Sequence, residues 1–290
     1  MRSPLRTTLA VALAASAGAL SLASPAHADH GGLTVTGLTQ NHRLVTFKAS
    51  APGTILSTVT VTGLEDGDEL AAIDFRPATG GLYGVSTSDA GAHLYLIDPA
   101  TGAASRVGTT TYAIAGDVSI DVNPTVDRLR VVSSDTTNLR INPVTGALAA
   151  TDVNLAYAAA DAAAGTTPAV SAVAYLNNDN SAATGTTLYD LDAATANLVT
   201  QAPPNNGTLN TVGALPAAIK AGKTGFDIYT RTTNGVNWAF ASVWDKGVST
   251  FYELNLATGG AASTPLGAGK AIATKPAVID IALATAQTGF

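Results

Sequence analysis

Ile73-Asp74-Phe75 reads as the middle of a β-strand, and the pattern returns as Ile120-Asp121-Val122, Ser171-Ala172-Val173-Ala174-Tyr175, Phe226-Asp227-Ile228 and Ile279-Asp280-Ile281. Aligned on Asp74, Asp121, Val173, Asp227 and Asp280, the steps are 47, 52, 54 and 53 residues. A repeat of that length, built from short strands, predicts the blades of a β-propeller. In the first unit, Leu70 to Phe75, Gly81 to Ser86, His93 to Ile97 and Ala104 to Val107 alternate apolar with small or polar residues and are rich in β-branched and aromatic types. These are four strands, A to D, counted outward from the axis.

Between strands C and D, Asp98-Pro99-Ala100-Thr101-Gly102 recurs as Asn142-Pro143-Val144-Thr145-Gly146 and Asn255-Leu256-Ala257-Thr258-Gly259, with Pro203-Pro204-Asn205-Asn206-Gly207 in the third unit. Each ends on a glycine free to take positive φ, as a hairpin turn requires. Four complete units run from Leu70 to about Leu266. One A-type strand is left at the C-terminus (Ala277 to Ala284), and three strands of B, C and D type are left at the N-terminus (Leu33 to Leu38, Arg43 to Lys48, Thr54 to Thr62). Together they complete a fifth blade. The fold expected is all-β: a five-bladed β-propeller whose closing blade is shared by the N- and C-termini, removing an exposed sheet edge. Residues 154–165, rich in alanine between Asn154 and Gly165, predict a short helix between blades two and three.

Residues 1–28 have the form of an export signal: Arg2 and Arg6, an apolar stretch from Leu9 to Leu22, and Ala26-His27-Ala28 as a cleavage site. No arginine pair precedes the apolar stretch, so the general secretory pathway is the expected route and a secreted protein the expected product. Residues 29–290 would form a single propeller domain. Cysteine is absent, which excludes disulfides and thiolate metal sites. No later segment is long and apolar enough for a membrane span. Removing Arg2 and Arg6 leaves 13 basic against 21 acidic residues, a net charge of −8, which argues against nucleic acid as a partner.

Three stretches carry a family likeness. Asp121 to Ser133 with Asn138 to Asn142, Ile73 to Gly84, and Pro203 to Leu209 together resemble the bacterial family known as domain of unknown function 4394, over roughly residues 33–284. The resemblance implies an exported, propeller-like protein. It assigns no activity and no catalytic residue.

Candidate sites fall into four groups. Asp74, Asp121, Asp227 and Asp280 sit mid-strand among apolar neighbours. They either bond donors in the adjacent blade or form a carboxylate ring holding Ca²⁺ in the channel, a ring that Val173 interrupts. In blade two, Asp127, Arg128, Arg130, Asn138 and Arg140 replace the small and aromatic residues of blade one. Arg130 and Arg140, on adjacent strands, either grip a carboxylate or phosphate ligand or join an internal ion-pair network with Asp127 and nearby acids. Glu65-Asp66-Gly67-Asp68-Glu69 reads as a solvated acidic turn, with weak Ca²⁺ binding as the alternative. Trp238, Phe240 and Trp244 share a strand face, suited to packing between blades or to stacking a sugar. Histidine is scarce and no nucleophile elbow or zinc motif is present, so nucleophilic and zinc catalysis find no support.

The expected function is therefore non-catalytic binding or interaction on one face of the ring. The partner would be a glycan, a peptide or another exported protein, met by the face that carries the long connections, including residues 154–165. A polysaccharide hydrolase using paired aspartates in the channel mouth and a purely structural extracellular module are the alternatives.

Overall fold

A computed structural model describes residues 30, 32–179, 181, 183–217, 219, 223–285 and 287. The export segment expected at residues 1–28 lies outside them. In chain order the strands are β1 (Thr34–Thr39), β2 (Arg43–Lys48) and β3 (Ala51–Thr60). Next come β4 (Glu69–Phe75), β5 (Leu82–Ser88), β6 (Gly91–Ile97) and β7 (Ala104–Arg106). β8 (Val118–Asn123), β9 (Arg128–Ser133), β10 (Asn138–Ile141) and β11 (Leu148–Thr151) follow. After these come β12 (Ala156–Tyr157), β13 (Val170–Tyr175), β14 (Leu188–Asp192), β15 (Asn197–Gln201) and β16 (Thr208–Ala214). The last are β17 (Lys223–Thr230), β18 (Asn237–Asp245), β19 (Val248–Leu254), β20 (Lys270–Ile272) and β21 (Val278–Ala282).

They form five sheets. Blade one is β4-β5-β6-β7, blade two β8-β9-β10-β11, and blade four β17-β18-β19-β20. Blade three is β13-β14-β15-β16 with β12 added outside, and blade five is β21-β1-β2-β3. The A strands meet around the axis: β4 touches β8, β8 touches β13, β13 touches β17, β17 touches β21, and β21 returns to β4. The ring is a five-bladed propeller closed by its C-terminal strand, which pairs antiparallel with β1 through Leu38 and Asp280.

Alternation along each strand leaves both faces of a blade apolar, so the core lies between blades. Five apolar clusters occupy the five junctions. Phe47, Phe240 and Phe251 fill the junction of blades four and five. Val85, Ile120 and Val131 join blades one and two, Leu198 and Phe226 blades three and four, and Leu44 with Ile73 blades five and one. The fifth cluster, at blades two and three, is built almost wholly from blade three, with Val132 reaching in from blade two. Polar side chains occupy the rest of that junction.

The C–D turns behave as their glycines require. At Gly102 (φ +79°) and Gly146 (φ +68°), an added Cβ would lie 2.1 and 2.0 Å from the carbonyl oxygens of Thr60 and Val107 respectively. The turns therefore pack against the preceding blade as well as reversing the chain.

Residues 154–165 are not a helix. Ala156 and Tyr157 pair in parallel with Thr208 and Leu209, and turns follow. Asp161 accepts from Thr211 N (2.6 Å) and Thr211 Oγ1 (2.8 Å), while Tyr157 donates to Asp192 (2.5 Å). Alanine-rich propensity is worth only tenths of a kcal/mol per residue. Burial of Leu155 and Tyr157 in the blade-three core outweighs it.

Candidate functional site

The polar junction of blades two and three opens into a cavity of about 380 Å³. Asn123 at the end of β8, Val126 in the β8–β9 turn, Arg128 and Arg130 on β9, Arg140 on β10, Tyr175 on β13, and Pro204 with Asn205 before β16 line it. Period-2 alternation sets Arg128 and Arg130 on one face of β9, and Arg140 is the direct cross-strand partner of Arg130.

Arg130 is buried and almost saturated. Its Nη1 donates to Asn138 Oδ1 (2.7 Å) and Asp152 Oδ2 (2.6 Å), its Nη2 to Asn205 Oδ1 (2.8 Å), and its Nε to the Tyr175 hydroxyl (3.4 Å). Arg140 donates to Asp152 through Nε (2.7 Å) and Nη2 (2.9 Å). Burial pushes the Asp152 carboxyl up, but its bonds to Arg140 and Arg130 outweigh that and hold it below the usual carboxylate range. One carboxylate thus serves two guanidiniums, those of Arg130 and Arg140, while Arg128 Nη1 donates to the Asp127 carbonyl (2.8 Å) and the Val126 carbonyl (3.5 Å). The N–H groups of Arg128 Nη2, Arg140 Nη1 and Asn205 Nδ2 have no partner among the described residues.

Of the sequence candidates, Arg128, Arg130 and Arg140 converge on this cavity. Asp127 does not line it: Arg76 draws it toward blade one through a paired contact (Nε to Oδ1 2.7 Å, Nη2 to Oδ2 2.5 Å), which holds its carboxyl low. Asn138 is also no lining residue. It is buried behind Arg130, accepting from it and donating to the Val153 and Pro204 carbonyls. The ion-pair network expected around Arg130 and Arg140 exists, but its acid is Asp152. Asp152, Tyr175 and Asn205 had no sequence signal as site residues. Asn205 sits in a stretch read only as a turn, and its role depends on how blade three abuts blade two.

Behind the cavity, Gln201 Oε1 and both oxygens of Asp190 are buried without a hydrogen-bond partner. Burial raises the Asp190 carboxyl well above its ordinary range and so favours its neutral form. Buried polar groups left unmatched inside an otherwise apolar architecture mark strained or functional places. Arg130→Ala is expected to cost about 3–5 kcal/mol, because Asp152 loses a buried partner. Arg140→Gln, at the half-exposed rim, should cost under about 1 kcal/mol. Urea melts of the two variants check this, and equal losses would show that the pair acts only as a structural tie.

At the axis, each ring aspartate reaches the next blade. Asp74 accepts from Val122 N (2.8 Å), Asp280 from Ile73 N (2.8 Å) and Asp227 from Leu283 N (2.5 Å). Val173, where the ring lacks a carboxylate, donates its N–H to Ser119 Oγ (3.1 Å). One oxygen each from Asp74, Asp121 and Asp227 also lies within 4.8 Å of the others. Burial, reinforced by the Asp227 charge, raises Asp74 well above its ordinary range. Asp121 is raised by burial and by Asp74 and Asp227, and Asp280 by burial and Asp227. Burial pushes Asp227 up to about 7 against the pull of the Leu283 and Ile228 amides. The donor set is all oxygen, the chemistry that suits Ca²⁺. Shared protons relieve the same repulsion.

The acidic turn at residues 65–69 is not simply solvated. Asp68 is buried and accepts from Ser86 Oγ (2.8 Å), the Tyr95 hydroxyl (2.5 Å) and His93 Nδ1 (2.9 Å), and Glu65 takes Arg106 at 2.6 Å. Thr111 Oγ1 lies 3.0 Å from His93 Nε2, giving a hydroxyl–imidazole–carboxylate chain. Asp68 is shared among three donors from two strands, and Thr111 lines none of the described cavities, so the chain reads as a fastening of strands β5 and β6. Trp238 and Phe240 pack in the junction of blades four and five, whereas Trp244 is only half-buried.

No curated protein matches the chain. Among solved structures, it is similar to a protein from Lactobacillus plantarum, with 15% identity and a TM-score of 0.43, over 87% of this chain and 71% of that one. A chain of a nidogen/laminin complex matches with 9% identity and a TM-score of 0.43, over 88% of this chain and 99% of that one. The model of a family described as a domain of unknown function (DUF4394) matches residues 43–282.

Proposed function

We propose, for a chain that belongs to the DUF4394 family, that it is an exported binding propeller, taking a small anionic ligand in the cavity between blades two and three without catalysis. One observation carries the reading: Arg130 and Arg140 share a single carboxylate there, Arg128 lines the same cavity without an acid of its own among the described residues, and Arg128 Nη2, Arg140 Nη1 and Asn205 Nδ2 remain open. A surface that offers donors and net positive charge recognises acceptors with negative charge. The protein as a whole is acidic, so this local excess of arginine runs against its composition.

Catalysis by ring carboxylates is disfavoured by access. Asp74, Asp121, Asp227 and Asp280 are 5%, 5%, 3% and 5% exposed, too little for a sugar to reach. Export rests on residues 1–28, and among the described residues no helix is long and apolar enough to cross a membrane.

The test is a thermal-shift series at low salt with phosphate, sulfate and small carboxylates. A ligand at a hundred times its Kd stabilises by about 2.7 kcal/mol. A saturable rise in melting temperature that Arg140→Gln removes supports the reading, and no rise with any anion refutes it. Mass spectrometry of protein recovered from the medium should find Asp29 as the first residue; an uncleaved N-terminus refutes the export route.

A further inference from the structure

Resting on the anion-binding reading, we infer that the ligand is a sugar acid of hexose size, a hexuronate, with its carboxylate between Arg128 and Arg140. The size of the cavity points away from a bare oxyanion. Its volume of about 380 Å³ corresponds to on the order of ten waters, so phosphate or sulfate would leave most of it filled with solvent. A ligand that fills it carries a body as well as a charge.

The lining says what that body is. Val126 is 57% exposed and sits with Pro204 among the lining residues. They supply an apolar surface beside the guanidiniums, matched by the C–H face of a sugar ring. Hydroxyls at the ring's edge accept from Asn205 Nδ2, the amide group left open when Asn205 Oδ1 takes Arg130. Asn123 Oδ1 is taken up by its own turn, bonding Thr125 N (2.9 Å) and Thr125 Oγ1 (2.8 Å).

The free donors select a planar group with two oxygens. Asp152 stays ionised and takes up Nε and Nη2 of Arg140 and Nη1 of Arg130. Arg140 Nη1 and Arg128 Nη2 are left, one for each oxygen of a ligand carboxylate, where phosphate would present more acceptors than these two groups can meet. Arg130, committed on four sides, holds Asp152 and Asn205 in place and acts as a positioning residue.

Isothermal titration of the intact protein with galacturonate, glucuronate, galactose, glucose and inorganic phosphate tests this. A hexuronate is expected to bind about tenfold or more tightly than either phosphate or its neutral sugar. Arg128→Gln and Arg140→Gln should each weaken hexuronate binding about tenfold, with the melting temperature lowered by no more than about 4 °C. Phosphate binding as tightly as the hexuronates overturns the sugar-acid assignment and leaves the anion site standing. Neutral sugars binding as tightly overturn the carboxylate contact. Binding of none of the five overturns this inference, and the thermal-shift series then decides whether another anion occupies the cavity.

Discussion

Removal of residues 277–290 is expected to abolish the cooperative melting transition. These residues include β21, the inner strand of blade five, and that blade is otherwise built from the other end of the chain. Val278, Ile281 and Leu283 are wholly buried in the junction with blade four. Burying such side chains is worth about 1.5–3 kcal/mol each, so the three together rival the roughly 5–15 kcal/mol by which a typical domain is stable. The loss does not stop at apolar contacts. Ile73 N loses Asp280 as its acceptor, and Asp227 loses the Leu283 amide, so blades one and four are each cut from the ring. The inner edge of β1 is left unpaired, a template for aggregation. Calorimetry of the truncated protein checks this; a single sharp transition near that of the full chain would refute ring closure as the source of cooperativity.

The second large effect is a fall in stability as pH rises from 5 to 8 with cations chelated. Asp227 has a folded pKa of about 7, above the unfolded value of about 3.9. A group raised on folding contributes its stability in full below the unfolded pKa and loses it as pH climbs through the folded one. Asp227 thus forfeits about 4 kcal/mol in all between the unfolded pKa and pH 8, of which about 2.5 kcal/mol falls between pH 5 and 8, roughly 5–10 °C of melting temperature for a chain of this size. The groups facing it are Asp74, Asp121 and Asp280 from three other blades, all raised in the same direction. Lys223 pairs with Asp117 (3.4 Å) at the channel mouth and not with the ring. Asp227→Asn keeps an acceptor for Leu283 N and removes one charge, so it should make the pH profile shallower, leaving the share of Asp74, Asp121 and Asp280, and melt above the natural protein at pH 8. A profile unchanged by the substitution would refute the account. A rise in melting temperature with Ca²⁺ at pH 8, reversed by EDTA, would show that a cation relieves the ring.

Much of this architecture was legible because its determinants are local. Alternation of apolar and polar residues needs only neighbouring positions, and the Asp-Pro…Gly and Asn-Pro…Gly turns state their own φ requirements at Gly102 and Gly146. Strand counting then left one A strand at the C-terminus and three strands at the N-terminus, which β21-β1-β2-β3 joins. Residues 154–165 misled for the converse reason. Their alanines report an isolated preference, whereas the pairing of Ala156 and Tyr157 with β16 involves residues fifty positions away.

The sequence by itself determined five blades, their order and their closure, because a repeat buries its two faces only against copies of itself. It also singled out Arg128, Arg130 and Arg140 as departures from that repeat. Which charges meet was decided by tertiary structure alone. Asp152 is 22 residues from Arg130, and Asn205 is 75. Asp74, Asp121 and Asp227 converge from three blades because closing the ring aims their strands at one axis. Coulomb interaction and desolvation depend on distance and burial through space, and neither quantity is written along the chain.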